Sequence, residues 1–253
     1  MTRSYTRYGR ETTPIHEAAE KGDVNALRRA LANGASPNDH DQNGWEPLQY
    51  LCFHGDNEDG RLACLKALLE AGADINAGLD EWTNNRPLMY AAQYSNANVV
   101  AALLKSGADV NLGNSANLTP IHWACNACVR GDSDVERASV LIRSGATVNA
   151  RDGQGRTALD KLIEHCQRHS SGIYLLPILV RAGAWVPAQT TNAYIRKVIA
   201  ADGIQRYERA HLNALAASFA PKFSHLLPPE LVRRVVEYAF HVGDYWTTSV
   251  RAE

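Results

Sequence analysis

The chain is 253 residues long, 45% hydrophobic and 21% charged, with a formal net charge of -1. Near-neutrality supplies no cationic field for phosphate-backbone binding, so no nucleic acid is expected as a partner. Five cysteines, an odd number spread along the chain, read as reduced thiols of an intracellular protein, and the apolar run 173–180, interrupted by Pro177, is too short to insert in a membrane.

Residues 1–10 lack acids and carry Arg3, Arg7 and Arg10. They are expected to form a tail. The composition is shared with organelle transit peptides, which leaves an organelle open beside the cytoplasm and nucleus as the compartment. At Thr13-Pro14-Ile15-His16-Glu17-Ala18-Ala19 a helix begins, with Thr13 as its cap and Pro14 at the first helical position, where a missing N–H costs nothing. Gly22-Asp23 breaks it. Val24, Leu27 and Leu31, at helical spacing, predict a second helix ending at Asn33-Gly34. The same two-helix unit recurs at Pro47-Leu48, Pro87-Leu88, Thr119-Pro120-Ile121-His122 and Thr157-Ala158-Leu159, and its second helix is clearest in 98–111, where Val99, Val100, Leu103 and Leu104 share one face. Gly34, Gly72, Gly107, Gly145 and Gly183 close the five copies at spacings of 35 to 38 residues. A period of this size means a stacked repeat array, an all-α solenoid that buries its core as a ribbon.

The Thr-Pro-Ile-His-x-Ala segments at Thr13 and Thr119 and the Gly-Ala-Asp-Val-Asn run at Gly107 resemble the signature of ankyrin repeats. The resemblance covers residues 11–186 and implies five helical hairpins joined by β-hairpin-like fingers. Three repeats depart from the pattern: Glu46 with Gln49, Arg86 with Met89, and Thr157 with Asp160 replace the threonine and histidine pair, so their first helices should be less rigid or braced otherwise. Repeats longer than the usual 33 residues or so must loop out residues, at Asp56 to Gly60, Gly78 to Asn84, around Cys128 to Asp132, and around His169 to Gly172.

Catalytic chemistry has no visible carrier. None of the nine histidines belongs to a Gly-x-Ser-x-Gly elbow, a phosphate-cradling loop or a His-Glu-x-x-His helix. Cys125-x-x-Cys128, with Cys166, His165 and His169, has zinc-ligand chemistry, but Cys125 takes the place of a small alanine of the repeat and is expected to be a buried thiol. No metal and no cofactor are expected. His16 and His122 should serve the hydrogen bonding of their own repeats.

The function expected is therefore recognition by a scaffold without enzymatic activity. In the geometry that the resemblance implies, finger tips and the outer face of each first helix line one concave side, the usual partner face. Trp45 and Trp82 stand in fingers, Phe53, His54, Gln93, Tyr94 and Asn126 at outer positions of first helices, and Arg156 is assigned to the same face. Tyr50, Tyr90 and Trp123 form a ladder at the variable residue of the signature. Exposed aromatics are preferred interface anchors, so all of these are candidate contacts for a partner protein; packing between neighbouring first helices is the other reading of the ladder.

Past Val186 the rhythm stops. Residues 187–253 are expected to form a helical segment that caps the array, with helices over 192–201, over 207–219 and from the prolines of Leu227-Pro228-Pro229-Glu230-Leu231 onward. That last stretch resembles the start of an F-box-like segment, which would make Leu227, Pro228, Glu230 and Leu231 ligase-docking residues and the protein a substrate adaptor of a cullin-type ubiquitin ligase. A permanent subunit of a large intracellular or organellar assembly is a third reading. The chain alone is expected to be monomeric.

Overall fold

The computed structural model describes residues 4–5, 11–53, 57–78, 83–126, 133–168, 175–190, 192–201, 203, 205–210, 213–214 and 217. A two-residue antiparallel pair, β1 (Ser4–Tyr5) with β2 (Glu11–Thr12), precedes the helices. Part of the segment expected to be a plain tail is thus paired strand. Five helix pairs follow: α1 (Pro14–Lys21) with α2 (Val24–Ala32), α3 (Pro47–Phe53) with α4 (Glu58–Glu70), α5 (Pro87–Tyr94) with α6 (Ala97–Lys105), α7 (Pro120–Asn126) with α8 (Ser133–Arg143), and α9 (Ala158–Arg168) with α10 (Leu175–Arg181). After them comes α11 (Ala193–Ala200). First helices stack on first helices, α1 on α3, α3 on α5, α5 on α7 and α7 on α9. Second helices form the other layer, α2 on α4, α4 on α6 and α6 on α8.

Local sequence explains the helix ends. Pro14 opens α1, and the Asp23 carboxylate accepts the amides of Asn25 and Ala26 to cap α2. Thr13 stands at the cap position of α1, but its hydroxyl lies 2.8 Å from His16 Nδ1 and bonds no backbone amide. The five repeat-closing glycines all adopt φ between +86° and +98°, a region closed to side chains without strain, which is why glycine recurs there. One expected loop is corrected: Glu58, Asp59 and Gly60 form the first turn of α4. Asn57 caps that turn by accepting the Gly60 amide, and two acids in it suit the helix dipole.

The core runs unbroken between the layers, from Ile15 and Leu27 through Leu51, Leu68, Val100 and Leu103 to Leu141, Leu162 and Leu179. Cys125 is buried within it, as its alanine-like position required; Cys128 and His169 lie outside the described residues. Among the described residues no group of three or more His, Cys, Asp or Glu side chains could hold a metal ion. Two buried arginines reach Ser95, the residue that ends α5: Arg61 of α4 donates to the Ser95 hydroxyl at 3.0 Å and Arg137 of α8 donates to its carbonyl. They tie three successive repeats to one turn.

A second inter-repeat device uses the asparagine that ends each Gly-Ala-x-x-Asn run. Asn38 donates to the Gly72 carbonyl and accepts the Asp74 amide. Asn76 accepts the Asp109 amide, Asn111 donates to Gly145 O and accepts the Thr147 amide, and Asn149 donates to Gly183 O and accepts the Trp185 amide. The ladder ends there, since the fifth copy has Pro187 in the asparagine's place. Beyond it α11, capped by Asn192, buries Ile195 and Val198 in the same core. Residues 205–210 are helical, starting earlier than expected, with Tyr207 edge-on to Tyr194 and Glu208 bonded to Arg181 of α10 at 2.6 Å.

Candidate protein-binding face

Three of the fingers are each built on an acid or amide side chain that folds back on its own turn. Asp41 Oδ1 accepts the amides of Asn43 and Trp45, Asn114 Oδ1 those of Ala116 and Leu118, and Asp152 Oδ1 those of Gln154 and Arg156. This is Asx-turn chemistry. Neighbouring fingers join through backbone bonds, Ser115 N to Thr83 O at 3.0 Å and Gly153 N to Ala116 O at 2.8 Å.

The first helices are locked to these fingers. His16 Nε2 sits 3.0 Å from Asp39 O and 2.9 Å from Trp45 O, and His122 Nε2 sits 3.3 Å from Arg156 O, while each Nδ1 faces the threonine three residues before it. Burial lowers both imidazole pKa values, against the backbone bonds that raise them, so both rings are held neutral. The repeats without that pair are braced by other bonds. Glu46 N donates to Gln49 Oε1 at 2.7 Å, Thr157 N and Oγ1 both donate to Asp160 Oδ2 at 2.9 Å, and Arg86 donates to the Asn76 carbonyl. Burial pushes the Glu46 carboxyl up, opposed by the exposed His40 at 3.2 Å, with Asp74 pushing it up further.

The structure divides the candidate residues by depth. Trp45, expected to stand out as an anchor, is only 8% exposed; its ring lies 4.8 Å from Tyr90, 5.2 Å from Phe53 and 5.4 Å from Tyr50. Tyr50 and Tyr90 are buried as well. Their hydroxyls are committed to their own fingers, Tyr50 donating to Asp41 Oδ2 at 2.7 Å and Tyr90 taking the Asn85 amide at 3.3 Å. The expectation of exposure is thus corrected for Trp45, while Tyr50 and Tyr90 follow the packing reading of the ladder: between stacked first helices large rings bury each other, Trp45 lying against Tyr50 and Phe53 of its own repeat and Tyr90 of the next. Phe53 and Tyr94 are half-buried and 4.5 Å apart, Trp123 is half-buried 5.5 Å from Tyr90, Gln93 is half-buried and Asn126 is exposed. Arg156 bonds Asp152 and lies 3.4 Å from Glu164. His54, Trp82, Leu227, Pro228, Glu230 and Leu231 lie outside the described residues.

Where three first helices meet, a cleft of ≈ 70 Å³ opens, lined by Gln93, Leu118, His122, Trp123, Asn126 and Lys161. Lys161 and Leu118 were not legible as site residues, because nothing in the repeat pattern marks which polar positions converge. A larger groove of ≈ 550 Å³ lies in the second-helix layer between α4 and α6, lined by Leu62, Leu65, Leu69 and Ala102 among others. The thiols are poor nucleophile candidates: burial pushes Cys52 up to about 12 and Cys64 up to about 11.

Comparison with known proteins agrees with this geometry. The family model for "Ankyrin repeats (3 copies)" matches three times, over residues 3–78, 57–152 and 88–178. Relatives include dog Inversin, 37% identical over 111 residues, and mouse Ankyrin repeat and SOCS box protein 5, 34% identical over 125 residues. The human Transient receptor potential cation channel subfamily A member 1 is 31% identical over 112 residues. These matches cover 44%, 49% and 44% of this chain but only 10%, 34% and 10% of those proteins. No helix among the described residues is long and apolar enough to cross a membrane. Paired helices in register, glycine-closed turns, an asparagine ladder and the family match over 3–178 lead to one conclusion: the chain belongs to the ankyrin-repeat family.

Proposed function

We propose that the protein is a non-enzymatic scaffold that holds a partner protein on the face formed by its first helices and fingers. The observation that carries this reading is the row of half-buried aromatics on three consecutive first helices, Phe53, Tyr94 and Trp123, flanked by the amides of Gln93 and Asn126. Half-exposed rings fixed from below lose little conformational entropy on binding, which suits them as anchors. Trp45, Tyr50 and Tyr90 act on this reading as the support beneath them. Arg156 is assigned to the same face, as are, from the repeat pattern of the sequence alone, His54 and Trp82, which lie outside the described residues. Affinity capture of the full chain from its native source, with and without Tyr94→Ala and Asn126→Ala together, tests it. The double variant should lose about thirtyfold or more in partner recovery, equivalent to about 2 kcal/mol. Full recovery would sink the face assignment.

A second reading, a cullin-type ligase adaptor, is favoured by the sequence Leu227-Pro228-Pro229-Glu230-Leu231, and one of the relatives carries a SOCS box beside ankyrin repeats in its name. Leu231→Arg with Leu227→Arg should then remove ligase subunits from the captured material and leave the partner of the first-helix face in place. Unchanged ligase subunits, or none in the first place, would end this reading.

A further inference from the structure

We propose that the cleft between α5, α7 and α9 is a carboxylate pocket that receives an aspartate or glutamate side chain of the partner. This rests on the first-helix face being the partner face and adds to it the chemistry that the face selects. Among the described lining residues only Lys161 carries a charge, since burial holds His122 neutral and its two ring nitrogens are taken by Thr119 and the Arg156 carbonyl. The Trp123 indole nitrogen, a donor without acceptor capacity, has no hydrogen-bond partner among the described residues and is closed to water as the half-buried ring stands, so the ring must turn for a ligand to reach it. Gln93 and Asn126 each add an amide that can present N–H groups.

The neighbouring acids engage Lys161 only loosely. Asp152 Oδ1 takes two backbone amides and Oδ2 takes the Arg156 guanidinium at 3.2 and 3.3 Å, so Lys161, at 3.7 Å, is its loosest contact. Glu164 lies 3.4 Å from Arg156. A cleft of ≈ 70 Å³ has room for a group as small as a carboxylate. A buried donor left without an acceptor is costly, and a charged acceptor that satisfies it while meeting an ammonium group gains most.

The test uses the isotope-labelled full chain and two matched probes, glutamate and glutamine each blocked at both backbone ends. The indole N–H resonance of Trp123 is identified by its disappearance in Trp123→Phe. Blocked glutamate should shift it saturably at millimolar concentration, blocked glutamine should not, and the exposed Trp185 should serve as an unmoved control. Lys161→Gln should weaken the glutamate response about tenfold. Equal shifts from both probes, no shift from either, or an unchanged response in Lys161→Gln overturns the proposal. Failure of the face reading shows separately, as partner capture that ignores Tyr94→Ala and Asn126→Ala, and the proposed partner side chain then falls with it whatever the probes do.

Discussion

The Tyr50 hydroxyl donates to Asp41 Oδ2 at 2.7 Å, joining the middle of a first helix to the side chain that shapes the finger before it. Asp41 also accepts two finger amides through its other oxygen, so one carboxylate sets both the turn and its angle to the helix. Tyr50→Phe should therefore destabilise the chain by about 1 to 2 kcal/mol through a buried acceptor that loses a donor. Asp41→Ala should cost more, because two backbone amides are orphaned as well. Urea unfolding checks both, and equal losses would mean that the carboxylate's turn bonds contribute nothing.

Trp45 lies under the candidate face, ringed by Tyr50, Phe53 and Tyr90. Its truncation to alanine should lower stability by about 3 to 5 kcal/mol, the range for removing a large buried ring. Asn126→Ala, at an exposed position, should stay within about 0.5 kcal/mol. Thermal melts of the two variants should diverge widely; a native-like melt for Trp45→Ala would return that residue to the surface.

His16 and His122 have pKa values lowered from the ordinary 6.5, with burial as the chief cause. Below about pH 6.5 the unfolded chain takes up protons that the folded chain resists, so stability should fall from there down to each folded pKa, by at most about 1.4 kcal/mol per pH unit for each proton. Glu46 acts in the opposite sense. Its carboxyl is raised above 4.5 by burial, so the penalty of holding it charged is relieved as pH falls through its folded value. Urea midpoints measured from about pH 7.5 to 5.5 should drop, and His122→Asn should flatten the curve. A flat profile in the parent chain would mean that neither ring is held neutral.

Asn111 holds the fourth repeat to the third through two bonds, to the Gly145 carbonyl and from the Thr147 amide. Replacing it by alanine should destabilise that junction by about 1 to 3 kcal/mol. In an array whose units contact only their neighbours, the loss should be local. Hydrogen exchange should accelerate at Ala146 to Asn149 before it does at α1 and α2. Uniform acceleration along the chain would show that the array unfolds as one unit.

The sequence by itself determined the architecture. Glycine spacing, proline at first helical turns and apolar residues at helical spacing are local constraints, each written in a few adjacent residues, and five imperfect copies reinforce one another. It also revealed that the repeats around Glu46, Arg86 and Thr157 lacked the usual threonine and histidine bond. Two of the braces are local, Glu46 with Gln49 and Thr157 with Asp160 bonding three residues apart, whereas the bond from Arg86 to the Asn76 carbonyl, ten residues back, was decided only by the folded finger. Depth was likewise tertiary. Trp45, read in a finger, and Trp123, read in the ladder, are both candidate contacts, yet one is roofed by aromatics from two repeats and the other borders an open cleft. Burial of a solenoid side chain is set by its neighbours about one repeat away, a distance across which a single sequence carries no signal of contact. The convergence of Gln93, Trp123, Asn126 and Lys161 has the same origin: four residues from three repeats meet only because the first helices stack in register.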